Sequence, residues 1–162
     1  MPDVSSFYRN FQLARRQAFH LYWRFARGMT LGVRGIVFDA KGQVFLIRHT
    51  YVPGWQFPGG GVEIGETALD ALRRELKEEG NITFDGTPRL HGVFFNRHVS
   101  RRDHVVVYVI SDFRQDNPPR PNREIAEGGF FSVDGLPDDT TAGTRLRLAE
   151  VLGTRPVITS WS

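Results

Sequence analysis

The sequence predicts an α/β layered domain, and three observations carry that prediction. Short alternating apolar runs, the mark of strands, lie both before and after the middle of the chain. Between them, 67–80 places apolar residues at helical spacing, and a second helical pattern closes the chain at Thr144–Leu152. With 162 residues, 40% of them hydrophobic, the chain suits one domain that buries roughly two thirds of its unfolded surface.

Composition excludes several classes of function. There is no cysteine, so disulfides, thiolate metal centres and cysteine nucleophiles are ruled out. The same fact agrees with a reducing cytoplasm, the expected location. No apolar run approaches the ~18 residues of a spanning helix, and the longest, Val105–Ile110, reads as a buried strand. The net charge is +3, and of 21 basic residues only Lys41 and Lys77 are lysine. Arginine forks bind phosphate through paired hydrogen bonds, which agrees with a phosphate-rich substrate.

Taken in order, the chain divides into an extension over 1–30, a domain over 31–153 and a tail over 154–162. In the extension, Phe7, Phe11, Ala14, Ala18, Leu21, Phe25 and Met29 recur at three- and four-residue steps, with Arg9, Arg15, Arg16, Arg24 and Arg27 mostly elsewhere around the cylinder. This predicts an amphipathic helix that packs on the domain or on a second subunit. An anionic membrane surface and a targeting peptide are the alternatives. Leu31–Phe38 alternates as a strand, Asp39–Gly42 is a turn, and Val44–Ile47 returns as its hairpin partner. In the following RHTYVPGW, Arg48 and His49 can reach a substrate phosphate, and Tyr51 or Trp55 can stack on a base.

Phe57 to Ile82 is the stretch around which the rest is organised. Pro58 extends Phe57, while Gly59, Gly60 and Gly61 allow the backbone to approach a ligand closely. Thr67 and Asp70 make a capping-box-like start, and Ala68, Ala71, Leu72 and Leu76 form the apolar stripe. Glu75, Glu78 and Glu79 share one face within a turn, where they repel one another at the negative end of the helix dipole. A cation reverses that sign. Hard carboxylates beside irregular backbone suit Mg²⁺ or Mn²⁺, and hence metal-assisted attack of water on a phosphate. The plainer alternative is a solvated helix whose acids pair with Arg73, Arg74 and Lys77, with Arg74 and Glu78 at i, i+4.

Beyond the helix, Asp85 and Gly86 mark a turn, and Leu90–Phe95 and His104–Ser111 read as strands. The loop between these strands gathers Arg97, His98, Arg101 and Arg102. It reads as a solvated hairpin tip or as a phosphate clamp, with Arg97 and Arg101 the candidate contacts. Without interleaved aromatics it does not read as a nucleic-acid surface. Residues 114–123 hold three prolines, Pro118, Pro119 and Pro121, and are expected to be irregular. A strand through Phe130, Phe131 and Val133 follows. The closing helix is expected to cover a sheet face with Leu146, Ala149 and Leu152, and the tail carries a lone Trp161 with no assigned role.

From Gly60 the spacing runs through Glu66 to Arg74, Glu75, Leu76, Glu78, Glu79 and Ile82. This pattern resembles the Nudix box. All but one of the fixed positions match, and WQFPGGGVEIGE is similar to the family's usual lead-in. Asn81 is the departure, standing where the family has glycine; asparagine also tolerates the left-handed conformation that ends helices. The box covers 60–82, and the strand pattern extends a weaker likeness over 30–150.

The resemblance implies an α/β/α sandwich around a mixed sheet and Mg²⁺-dependent hydrolysis of a phosphoanhydride in a nucleoside diphosphate linked to another moiety. It implies one to three Mg²⁺, with Mn²⁺ as a substitute, held by Glu75, Glu78, Glu79 and the Gly59 carbonyl. Arg74 would orient the carboxylates and Glu66 would support it. Nudix hydrolases commonly carry a further glutamate after the box, so the base is Glu124, Glu127 or Glu75, with Glu124 first by position. A small nucleotide diphosphate is the expected substrate and a homodimer the expected assembly. Two rivals are a Nudix-like sensor that binds nucleotide without cleaving it, and isopentenyl-diphosphate isomerase, which relies on a cysteine that this chain lacks.

Overall fold

The computed structural model describes Phe19 and residues 28–162. Most of the helix expected over 1–30 lies outside the described residues. The first strand, β1 (Thr30–Val37), and β2 (Val44–His49) precede a two-residue strand, β3 (Trp55–Gln56), and the helix α1 (Ala68–Gly80). Then come β4 (Ile82–Thr83), β5 (Arg89–Phe95), β6 (Asp103–Ile110), β7 (Arg114–Gln115), β8 (Ile125–Phe131) and the helix α2 (Ala142–Val151). None of the described helices is long and apolar enough to cross a membrane.

The strands form one mixed set, β1-β6-β5, in which β1 runs parallel to β6 and β5 antiparallel, and one antiparallel set, β3-β2-β8. A third, short pair joins β4 to β7. Side chains of successive strand residues point to opposite faces, and the core divides accordingly. Val33 and Val37 of β1, Phe45 and Ile47 of β2, and Val106 and Ile110 of β6 pack with Leu72 and Leu76 of α1. Their neighbours Ile36, Val44, Leu46, Val105 and Val107 pack on the other face with Leu148 of α2. The result is the α/β/α sandwich.

The expected hairpin between the first two strands does not form. Its turn is present, closed by Asp39 N–H to Gln43 O at 3.0 Å and by the Asp39 carboxylate accepting from Lys41 and Gln43 N–H. Pairing nevertheless stops at a single Phe38–Val44 bridge. Both edges of β1 are already taken, one by β6 and the other by the glycine loop, where Val33 and Gly35 donate to the Gly60 and Pro58 carbonyls. Strand β2 likewise has β3 and β8 as neighbours. The turn therefore carries the chain from one sheet to the other.

Helix α1 starts and ends as local chemistry dictates. Thr67 and Asp70 exchange side-chain and backbone hydrogen bonds in a complete capping box. Asn81 adopts the left-handed conformation, φ 52° and ψ 32°, and caps the carbonyls of Leu76 and Lys77. The loop expected over 114–123 begins with β7 instead, because Arg114–Gln115 pairs with β4 and Gln115 Nε2 donates to Gly80 O at 2.6 Å.

Helix α2 corrects a second expectation. Its buried residues are Gly143, Thr144, Arg147, Leu148 and Glu150, while Leu152 is 47% exposed. Arg147 is turned inward because Glu150 Oε1 accepts from its Nη2 at 2.8 Å, and Glu150 Oε2 meets His91 Nε2 of β5 at 3.0 Å. The last residues seal this cluster. Ser160 O accepts from Arg147, Ile158 N–H donates to Glu150, and Trp161 packs against Gly143 and edge-on to Phe94. Phe95 and Trp161 exchange further backbone bonds with that segment and with β5.

Candidate active site

The site is built where the glycine loop crosses β1 beneath the last turns of α1. Gly59 has φ 140°, and a Cβ there would run into the Val33 carbonyl, so the loop can lie on the strand only with glycine. Its N–H, turned to the helix, donates to Glu79 Oε2 at 2.6 Å. Glu79 is 7% exposed. Burial pushes its carboxyl up to about 7, against the pull of the Gly59 N–H and of the Arg34 charge.

Arg34 enters from β1, donating Nη1 to Phe57 O at 3.0 Å and to Gly59 O at 2.6 Å. Burial lowers its pKa, opposed by the nearby Glu79 and Glu75 charges. On the far side of Glu79, His49 Nε2 stands 3.4 Å from Oε1. Burial and then the Arg34 charge lower the His49 pKa, which favours the neutral ring. The His49 Nδ1 atom is buried and has no hydrogen-bond partner among the described residues.

A second cluster fixes the middle of the helix. Arg74 grips both Glu66 oxygens, at 2.9 and 3.0 Å, donates to Glu75 Oε1 at 2.6 Å and reaches Gly61 O at 3.1 Å. These bonds, with the Glu63 N–H, hold the Glu66 carboxyl down at about 2, and the Arg74 pKa is raised in turn. A Cβ at Gly60 would collide with the Glu75 carboxylate, so the loop and that side chain meet directly. The i, i+4 pair of Arg74 with Glu78 exists, but at 3.6 Å it is the longest of the Arg74 contacts. Arg73 stands 3.7 Å from Asp70, and Lys77 bonds Asn81 instead of an acid.

The sequence-predicted residues are not all brought together. Glu66, Arg74, Glu75, Glu79 and Gly59 are contiguous, whereas the Glu78 side chain is 61% exposed. Glu124 lies in the loop before β8, within electrostatic reach of Glu79 and His49. Glu127 does not join them. It pairs across the strands with Arg48 at 3.0 Å, in step with Phe131 and Val44 on the α2 face. Trp55 is 6% exposed and lies edge-on to Phe131, with the Arg48 guanidinium 5.7 Å above it. An indole buried in the core has no face to offer a base. Arg97 and Arg101 are exposed in the β5–β6 turn, beyond the end of β1 where Arg102 O accepts from Thr30 N–H.

Among the described residues no three acidic or histidine side chains stand together as a finished metal cluster. Glu79 turns in to Gly59, Glu75 to Arg74 and Glu78 outward, so the shared helical face does not by itself converge. The donors nonetheless fit a hard divalent ion: they are carboxylate oxygens beside a backbone carbonyl, with the Gly59 N–H on Glu79 and the Glu75 carboxylate against Gly60. Sequence reasoning missed Arg34, whose signal was a cation inside the apolar stretch GVRGIV. It read His49 only as able to reach a substrate phosphate, while the structure places its Nε2 3.4 Å from Glu79 Oε1.

A model of the NUDIX domain matches residues 28–151, and the chain belongs to that family. Among curated relatives, an RNA pyrophosphohydrolase of Bartonella bacilliformis is 49% identical over 57 residues, 30% of this chain and 34% of that protein. The chain spans about a third of the length of the curated relatives it matches. Among solved structures, a MutT NUDIX hydrolase from Burkholderia pseudomallei is 26% identical with a TM-score of 0.64, over 75% of this chain and 97% of that one. A NUDIX hydrolase from Nitrosomonas europaea, 21% identical over 78% of this chain and 72% of that one, shares the fold with a TM-score of 0.65.

Proposed function

We propose that this chain hydrolyses a phosphoanhydride bond in a nucleoside diphosphate linked to another moiety, with Mg²⁺ as its cation and Mn²⁺ as a substitute. The observation that carries the reading is the buried Glu79 carboxylate, seated on the Gly59 N–H beside Arg34 and backed by the Arg74 clamp on Glu75. Family membership and the pyrophosphohydrolase relatives support it.

Glu75, Glu78, Glu79 and the Gly59 carbonyl would hold the cation, which when bound supplies charge neutralisation for the diphosphate and a lowered pKa for the attacking water. The remaining work belongs to the chain. Arg74 and Glu66 hold the Glu75 carboxylate at the loop, so that it does not drift into solvent. Arg34 keeps the Phe57 and Gly59 carbonyls in place and sets a fixed positive charge under the carboxylates. Glu124, within reach of Glu79, takes the proton of the attacking water on its carboxylate; Glu75 is the second choice. Glu127, facing α2, is left to its pair with Arg48.

A small nucleotide is the first substrate reading, in line with a solved UDP-X diphosphatase of the same fold at 25% identity. The relatives named RNA pyrophosphohydrolase favour an RNA 5′ end as the second. The test is release of phosphate or nucleoside monophosphate from a panel of both classes, with and without Mg²⁺, by the wild type and Glu79→Gln. Metal-dependent turnover that disappears in the variant is expected. Binding across the panel without turnover would instead indicate a nucleotide sensor.

A further inference from the structure

Helix α1 covers only part of the face it packs on in the β1-β6-β5 sheet. Residues directly opposite on neighbouring strands share a face, so Val33, Val106 and Val93 form one row across it. Their exposures rise along that row from 0% to 7% to 51%. The helix lies over β1, where Leu72 and Leu76 close on Gly35, and among the described residues it leaves β5 bare. The rows on either side repeat the pattern. Leu31, His104 and Phe95 stand in register at one end, and Tyr108 and Leu90 at the other, with Leu90 55% exposed. The bulge between Leu90 and Gly92 keeps Leu90 on this face, while His91 turns to Glu150 of α2. Leu31, Val93 and Leu90 thus outline an exposed apolar strip of the kind that a partner covers.

The chain itself carries a segment that fits the strip. Leu31 is in register with His104 and Phe95, so the chain enters β1 at the Phe95 end. Residues 1–27 precede that point, and Phe11, Ala14, Ala18, Leu21 and Phe25 repeat there at helical spacing. As a helix, the stripe from Phe11 to Phe25 is about 21 Å long. Strand β5 runs about 17 Å from Leu90 to Phe95, so the two lengths match. Phe19, the described residue of the segment, is helical and 59% exposed. At helical spacing it falls outside the stripe, as a helix docked by that stripe requires.

We propose that residues 1–27 dock on this strip as a helix, with Phe25 at the Phe95 end, Leu21 against Val93 and Ala14 near Leu90, completing the layer that α1 begins. The chain has no cysteine, so an engineered pair reports a single contact. In the full chain, Val93→Cys is combined with Ala18→Cys, Leu21→Cys or Trp23→Cys, and oxidation is followed on non-reducing gels. A disulfide within one chain should form at least about tenfold faster with Ala18→Cys or Leu21→Cys than with Trp23→Cys, which faces away from the stripe. Equal rates, or no cross-link within a chain, would overturn the docking, and cross-links between chains alone would give the strip to a second copy. Tryptic cleavage at Arg15 and Arg16 is the second readout. Val93→Asp should speed it about tenfold by releasing the helix, while Val157→Asp, exposed in the tail, should leave it unchanged. Cleavage indifferent to Val93→Asp would overturn the proposal, as would protection of the segment only when phosphatidylglycerol vesicles are added, which would assign the stripe to a membrane surface.

Discussion

Glu79 is a carboxylate that the fold buries without neutralising, and its replacement separates chemistry from stability. A glutamine there can still accept from the Gly59 N–H but carries no charge into the buried site. Glu79→Gln should lower turnover at least about 100-fold, while the metal-free protein at pH 8 unfolds at the same temperature or higher in a thermal melt. Near-native turnover in that variant would sink the metal-site assignment. Glu66 predicts the opposite dependence. Its carboxyl is held at about 2, below the ordinary 4.5, so whatever stability the Arg74 bonds supply is complete above 4.5 and is lost as pH falls through about 2. The gap in melting temperature between wild type and Glu66→Gln should therefore be full at pH 6 and close near pH 2. At this scale the box acids were legible because their spacing is local. Arg34 and His49 were not, since each gains its role from a contact with a distant segment.

Among the elements, α1 was legible from end to end and α2 was not, for the same physical reason. Everything that shapes α1 lies within a few residues: the Thr67–Asp70 box, the apolar stripe, and Asn81 at φ 52°. Asn81→Ala should cost about 1 kcal/mol through the left-handed strain on a Cβ, and Asn81→Gly should cost less, as equilibrium urea unfolding can measure. Helix α2, by contrast, buries Arg147 and Glu150, and no apolar periodicity announces charged residues that are satisfied by His91 and Ser160. The two-residue strands β3, β4 and β7 are too short to show a period. The β1–β2 hairpin was misread because adjacent alternating segments suggest pairing, while the strand that claims β1 lies across Thr30 and Asp103, far along the chain.

For the whole molecule, the two helices divide the work: one face of the sheets carries the site under α1, and the other is locked by the charged cluster under α2. Arg147, fully buried, lies 4.0 Å over the Phe94 ring and depends on Glu150 for its counter-charge. Glu150→Gln should destabilise the protein by about 3 kcal/mol, because it leaves a buried guanidinium uncompensated; chemical denaturation followed by Trp fluorescence would read it. The same cluster has a consequence in time. Its members come from β5, α2 and the last residues, so it can close only after those parts have already docked. Its bonds are then absent from the folding barrier and present in the native state alone. Stopped-flow measurements on Glu150→Gln should show refolding at the native rate and unfolding accelerated by nearly the whole loss of stability. The cluster under α2 would thus act as a latch that sets how long the folded molecule lasts, leaving how fast it forms to the sheets and α1.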